Sequence, residues 1–141
     1  MSSLREQILV AIQTKLSTVP NATVFRSRQD AVAREEGNAL LLQPEKESPQ
    51  KRSSAPGGTV LRDFLINVIV MARGDPPDQV ADAVIAVAHA QIMSDPTLGN
   101  LCAQVIDDST EWTFQEADLT ACEVKIRYIV RYLTTLNSLS S

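Results

Sequence analysis

The sequence predicts an α+β fold of two layers, with two helices packed on one face of a largely antiparallel or mixed sheet of four to five strands. Three observations lead there. Leu4, Ile8, Ile12 and Leu16 recur every four residues, the spacing of one buried helix face. Cys122, Val124, Ile126, Tyr128, Val130 and Tyr132 alternate with Glu123, Lys125, Arg127 and Arg131, the period of a strand with one wet face. The strand candidates also follow one another with few helical crossovers, which favours antiparallel neighbours.

The first helix is expected over residues 4–17. Ser3 stands at its cap with Glu6 three residues on, and Val19-Pro20-Asn21 ends it. Residues 22–27 form a short strand candidate around Val24 and Phe25, and residues 28–36 are polar, fitting a turn or one helical turn. Residues 39–43 read as a second strand, apolar on both faces at Leu40, Leu41 and Leu42. Residues 45–58 hold Pro49, Pro56, two Gly, three Ser, Lys46, Lys51 and Arg52, and are expected to be a long mobile surface loop.

Residues 59–73 make the longest strand candidate. Val60, Phe64, Ile66, Val68, Val70 and Ala72 share one parity, and Leu61, Asp63, Leu65, Asn67, Ile69 and Met71 share the other. The second set is too apolar for a plain wet face, which hints at a subunit contact. Gly74-Asp75-Pro76 then switches strand to helix. Asp75 is placed to cap and Pro76 to occupy the first turn of a helix running to about Met93, with Val80, Val84 and Val87 in one apolar row and Ala81, Ile85, Ala88 and Ile92 in the next. Residues 103–107 and 112–114 suggest a strand interrupted by an acidic bulge or turn, and residues 136–141 a fraying tail.

A length of 141 residues suits a single domain. Aromatics are 4%, so the core must be aliphatic and base-stacking platforms are scarce. Residues 3–15 carry charges and no unbroken apolar run of the secretory kind, and residues 64–72 are too short to span a bilayer. The chain is therefore expected in the cytosol where it is made, with no membrane partner, and Cys102 and Cys122 as reduced, buried thiols.

Little suggests chemistry. His89, the single histidine, has no second imidazole or cysteine at ligand spacing and reads as a surface or boundary residue. Asp107, Asp108 and Glu111 lack the spacing of a calcium loop, and Pro56-Gly57-Gly58 lacks the Lys-Ser/Thr ending of a phosphate loop. No acid–base pair stands out, so no catalytic residue, metal or cofactor is expected. The net charge of −4 and the absence of a binding motif argue against specific nucleic-acid binding. The charge is nevertheless split: residues 74–124 hold ten acids and no Lys or Arg, while all thirteen basic residues lie outside them. Such a split suits head-to-tail contacts or the lining of a passage.

The second half carries a resemblance. Its helix ends in Gln91-Ile92-Met93-Ser94-Asp95-Pro96-Thr97-Leu98-Gly99-Asn100-Leu101. An acidic stretch with Trp112 follows, then Glu116-Ala117-Asp118-Leu119-Thr120 and a strand with Tyr128-Ile129-Val130-Arg131-Tyr132. With Arg26-Ser27-Arg28 and residues 39–44, these segments resemble the phage tail-terminator proteins, similar to the minor tail protein U family of lambdoid phages; the departure is in residues 45–58, longer and more basic than that pattern. The resemblance implies a non-enzymatic virion protein. Its subunits form a ring, typically a homo-hexamer, on the last ring of the tail tube, stop tube growth and offer a surface to a head-completion or connector protein. Genome DNA passes through the lumen.

On that reading the chain alone is expected to be monomeric and to form a ring on its template, in the host cytoplasm and then in the virion tail. Arg26, Arg28, Arg34, Lys125, Arg127 and Arg131 are the candidate contacts to a neighbouring subunit or the tube. Asp107, Asp108 and Glu111 are candidates to face the lumen, or else the basic surface of the next subunit. The alternatives are another head–tail connector or tube-like subunit, or a small-molecule binding module.

Overall fold

The computed structural model describes residues 2–28, 37–52, 58–114 and 121–140. In chain order the elements are α1 (Leu4–Leu16), β1 (Thr23–Arg26), β2 (Ala39–Arg52), β3 (Thr59–Arg73), α2 (Pro77–Met93), β4 (Gln104–Phe114) and β5 (Ala121–Thr135). The strands form one mixed sheet in the order β1-β2-β3-β5-β4. Both helices pack on the same side of it, so the α+β class and two-layer arrangement are as the periodicities predict.

The Ser3 hydroxyl accepts the Glu6 N–H at 3.2 Å, the forward half of the expected capping box. The Glu6 carboxylate does not return to the cap but reaches Arg26 on β1. Ile8, Leu9, Ile12 and Leu16 turn inward. They meet Ala81, Val84, Ala88 and Ile92 of α2 and the even-numbered residues of β3 and β5 in one core, which is mostly aliphatic but also holds Phe64, Tyr128 and Tyr132. α2 begins one residue later than expected: Pro76 is the cap and Pro77 the first helical residue, where a missing N–H costs nothing, and no side chain caps the end.

Two expectations are corrected. Residues 45–52, expected in a mobile loop, continue β2 against β3 with register shifts at Pro44/Lys46 and Pro49/Lys51. Two prolines are tolerated because β1 covers only Ala39 to Leu42, and among the described residues no strand pairs with the rest of β2 on that side, where ladder donors are not required. The polar composition that suggested a loop is that of an exposed strand edge. β1 pairs β2 in parallel, which makes the sheet the mixed one of the two arrangements the sequence allows. The tail expected to fray is tied by two backbone bonds, Leu136 N–H to Gly58 O at 2.9 Å and Leu4 N–H to Leu139 O at 2.7 Å, the second satisfying an orphan donor at the start of α1.

Candidate functional site

The sheet face away from the helices carries a charged ladder that crosses four strands. Arg131 on β5 holds Asp63 on β3, 2.8 Å from Nε to Oδ1 and 3.1 Å from Nη2 to Oδ2. Arg127 donates to Glu45 on β2 at 2.8 Å and lies 3.9 Å from Asp108 on β4. Asn67 donates to the same Glu45 at 3.1 Å. Lys125 lies 3.8 Å from Glu111. The Asn67 amide, with Arg127 beside it, holds the Glu45 carboxyl below its ordinary value.

Lys125, Arg127 and Arg131 thus share one face, as their alternation predicts, and Asp108 and Glu111 lie against two of them. Asp107 is separated from that group. A bulge between Asp107 and Ser109 turns Asp107 to the helix side, opposite Tyr128 and 4.0 Å from His89. His89 is a boundary residue: its ring stacks on Tyr128, and its Nδ1 lies 2.7 Å from the Tyr128 hydroxyl. Burial first, then Asp107, pushes the Tyr128 phenol above its ordinary value.

The remaining candidates lie elsewhere. Arg26 forms a bidentate pair with Glu6 at 2.5 and 2.7 Å, on the helix side of the β1 edge. The Arg28 guanidinium sits 4.4 Å above the Phe25 ring. Arg34 lies outside the described residues.

Two features have no forecast in the sequence. Glu47, inside the segment read as a loop, is a half-buried hub that meets Arg5 at 2.9 Å, Arg62 at 3.4 Å and the Tyr132 hydroxyl. Its place on the core face follows from the β2 register, which polar composition hides. β4 is a long sheet edge on which Trp112 and Phe114 stand 55% and 57% exposed. In a chain with six aromatic residues, two open to solvent on one edge strand stand out.

The turn that carries much of the sequence resemblance is built by Asp95. Its carboxylate accepts the Thr97 hydroxyl at 2.7 Å, the Thr97 N–H at 3.1 Å and the Gly99 N–H at 2.9 Å, which lowers its pKa. The turn drops Leu98 into the core beside the buried Cys102. Both cysteines are free and buried, and burial pushes the Cys102 thiol up to about 11. Among the described residues no group of three or more His, Cys, Asp or Glu could hold a metal ion, and no helix is long and apolar enough to cross a membrane. An open groove of about 610 Å³ runs between Pro20, Asn38 and the first turns of α2, with Val80, Val84 and Val87 in its wall.

No family model and no curated protein matches the chain. Among solved structures it is similar to a chain from the virion of a native gene transfer agent particle, with a TM-score of 0.44 and 12% identity over 94% of this chain and 92% of that one. A likeness at this level carries no argument about function.

Proposed function

We propose that this chain is a structural virion protein of the tail-terminator kind, acting by ring formation on the end of a tail tube. The observation that carries the reading is the eleven-residue β4, a free sheet edge with solvent-exposed Trp112 and Phe114 at its end. An edge strand offers a row of unpaired backbone donors and acceptors, and exposed aromatic residues on it suit burial against a protein partner. The motif resemblance supplies the kind of partner: copies of the chain, the tube protein and a head-joining protein. In this proposal the ring is a homo-hexamer assembled on its template from monomers, first in the host cytoplasm and finally in the virion tail. The acids of β4 face either the lumen or the next subunit, and the arginines of the β1 edge and of β5 serve subunit or tube contacts.

The experiment is assembly. Purified protein added to growing tail tubes should cap them at a defined end, visible by electron microscopy, and prevent further growth. Tubes that lengthen by incorporating the chain would identify a tube subunit instead. A monomer that ignores tubes and heads would redirect attention to the groove beside Val80 and Val84, the place a small-molecule module would use.

A further inference from the structure

We infer that the outer edge of β4 receives an extended segment of a different protein, added as a further strand of the sheet, in which basic residues alternate with apolar ones. This deepens the proposed function at the same strand and rests on it only for the source of the segment, another protein of the virion.

The edge is open to a strand. β4 is last in the sheet order, and among the described residues only β5 pairs with it. Beyond the bulge at Asp107/Ser109, residues 109–114 run in unbroken register with β5. Along such a run every second residue turns its N–H and C=O away from the existing partner, and an added strand takes its main-chain bonds there.

The two faces of β4 set the pattern of the incoming strand. Trp112 and Phe114 pair in register with Val124 and Cys122, both in the core under the helices. The aromatic pair therefore lies on the helix side, 55% and 57% exposed, and calls for apolar residues beside it. Glu111, opposite Lys125, lies on the other face, where Asp108 stands beside Arg127. On its inner side this stretch already meets Val124-Lys125-Ile126-Arg127, apolar and basic in turn. A strand's side chains interact with cross-strand neighbours on either side, so the same side chains call for the same pattern at the outer edge. The inner neighbour does not saturate the acids. Glu111 is 3.8 Å from Lys125 and keeps 69% of its side chain in solvent. Asp108 is 3.9 Å from an Arg127 that Glu45 already holds at 2.8 Å. β4 itself carries Asp107, Asp108 and Glu111 and no base.

A second copy does not supply this segment. Residues 124–128 are the one stretch of the sequence in which two successive basic residues each stand between apolar ones, and they are held between β3 and β4. The neighbour that the β4 acids meet is therefore a different protein.

Trp112 reports the contact, because it is the single tryptophan of the chain. A capped peptide of alternating valine and arginine should shift its emission to the blue, saturably, with an affinity that salt lowers several-fold. The same residues with the arginines grouped at one end should give no such shift. Glu111→Lys should weaken binding several-fold while far-UV circular dichroism stays unchanged. Methylating one alternate set of the peptide's amide nitrogens should abolish binding to the unmodified chain, and methylating the other set should not. Three results would each overturn the inference: no shift at millimolar peptide, an equal response to the grouped peptide, or undiminished binding of both methylated peptides. Capping of tail tubes is scored separately. Peptide binding by a chain that caps no tube upholds the strand contact and removes its virion source. Capping by a chain that binds no peptide upholds the ring and removes the strand contact.

Discussion

Arg131 lies directly opposite Asp63 in the β3–β5 ladder and clamps it with two hydrogen bonds, at 2.8 and 3.1 Å. Asp63 is 9% exposed on a face that no helix covers. Its shelter comes from the arginine itself and from neighbouring side chains of the sheet, so the pair belongs to the fold before it belongs to any interface.

Removing the arginine therefore tests stability first. Arg131→Ala should lower stability, because a sheltered carboxylate loses a charge-assisted pair while the arginine was already partly hydrated. Arg131→Glu should cost more, and Arg131→Lys should keep the charge but lose the fork geometry. Urea unfolding of the three variants orders them, and an unchanged midpoint for Arg131→Glu would contradict the assignment. Arg127 differs, since its partners Glu45 and Asp108 are less buried; Arg127→Glu should leave a folded monomer whose assembly can be scored separately.

Gly74 leads β3 toward α2 at a point with no room for a side chain. A Cβ there would come within 2.4 Å of Val80 Cγ2, in the first turn of α2. Gly74→Ala should destabilise by roughly 1–3 kcal/mol, the usual cost of overpacking. Val80→Ala should recover much of that loss in the double variant, although alone it destabilises. A thermal-unfolding double-mutant cycle that shows simple additivity would rule out the clash as the cause.

The parts of the fold legible in advance were those with one dominant period. β3 and β5 are buried on alternate residues, so Phe64, Ile66, Tyr128 and Tyr132 declare themselves. The second half of β2 did not, because an edge strand carries the same polar residues and prolines as a loop. The parallel β1–β2 pairing is a matter of long-range geometry that local pattern does not encode. At the candidate site, the shared face of Lys125, Arg127 and Arg131 followed from parity alone. The acids misled because parity puts Asp107 with Glu111, and the bulge at Asp107/Ser109 reverses that, sending Asp107 to the helix side and Glu111 to the ladder. A one-residue insertion exchanges the faces of everything beyond it.

The two tyrosines give a pH test. Burial, then the hydrogen bond to Glu47, raises the Tyr132 phenol to about 12 from an ordinary 10. Between those values the unfolded chain releases a proton that the folded chain keeps, so stability is complete below pH 10 and declines as pH rises toward 12. The Tyr128 phenol is raised as well and acts in the same direction. Denaturant unfolding from pH 9 to 11.5 should show this decline, and it should be shallower in Tyr132→Phe. Phenolate absorbance should rise together with unfolding and not before it; a phenolate step in the folded protein at pH 10 would show that the rings are not buried.

The final prediction concerns DNA. A ring through which the genome passes must not hold it, and a basic lining would bind phosphate with strong salt dependence. On β4 the described acids are only partly offset: Glu111 and Asp107 keep 69% and 58% of their side-chain surface in solvent, while Asp108 lies nearer Arg127. Repulsion from such acids reaches about 8 Å at physiological salt, enough to keep a duplex from settling on the edge. The arginines that could attract phosphate have carboxylate partners: Arg26 with Glu6, Arg127 with Glu45, and Arg131 with Asp63. The isolated protein should therefore bind double-stranded DNA very weakly or not at all, even at low salt. Asp107→Lys with Glu111→Lys should create measurable, salt-sensitive binding by reversing charge on open side chains, read by fluorescence anisotropy of a labelled duplex. Submicromolar affinity of the unmodified chain at moderate salt would remove the passage reading altogether and point to nucleic-acid binding as the function.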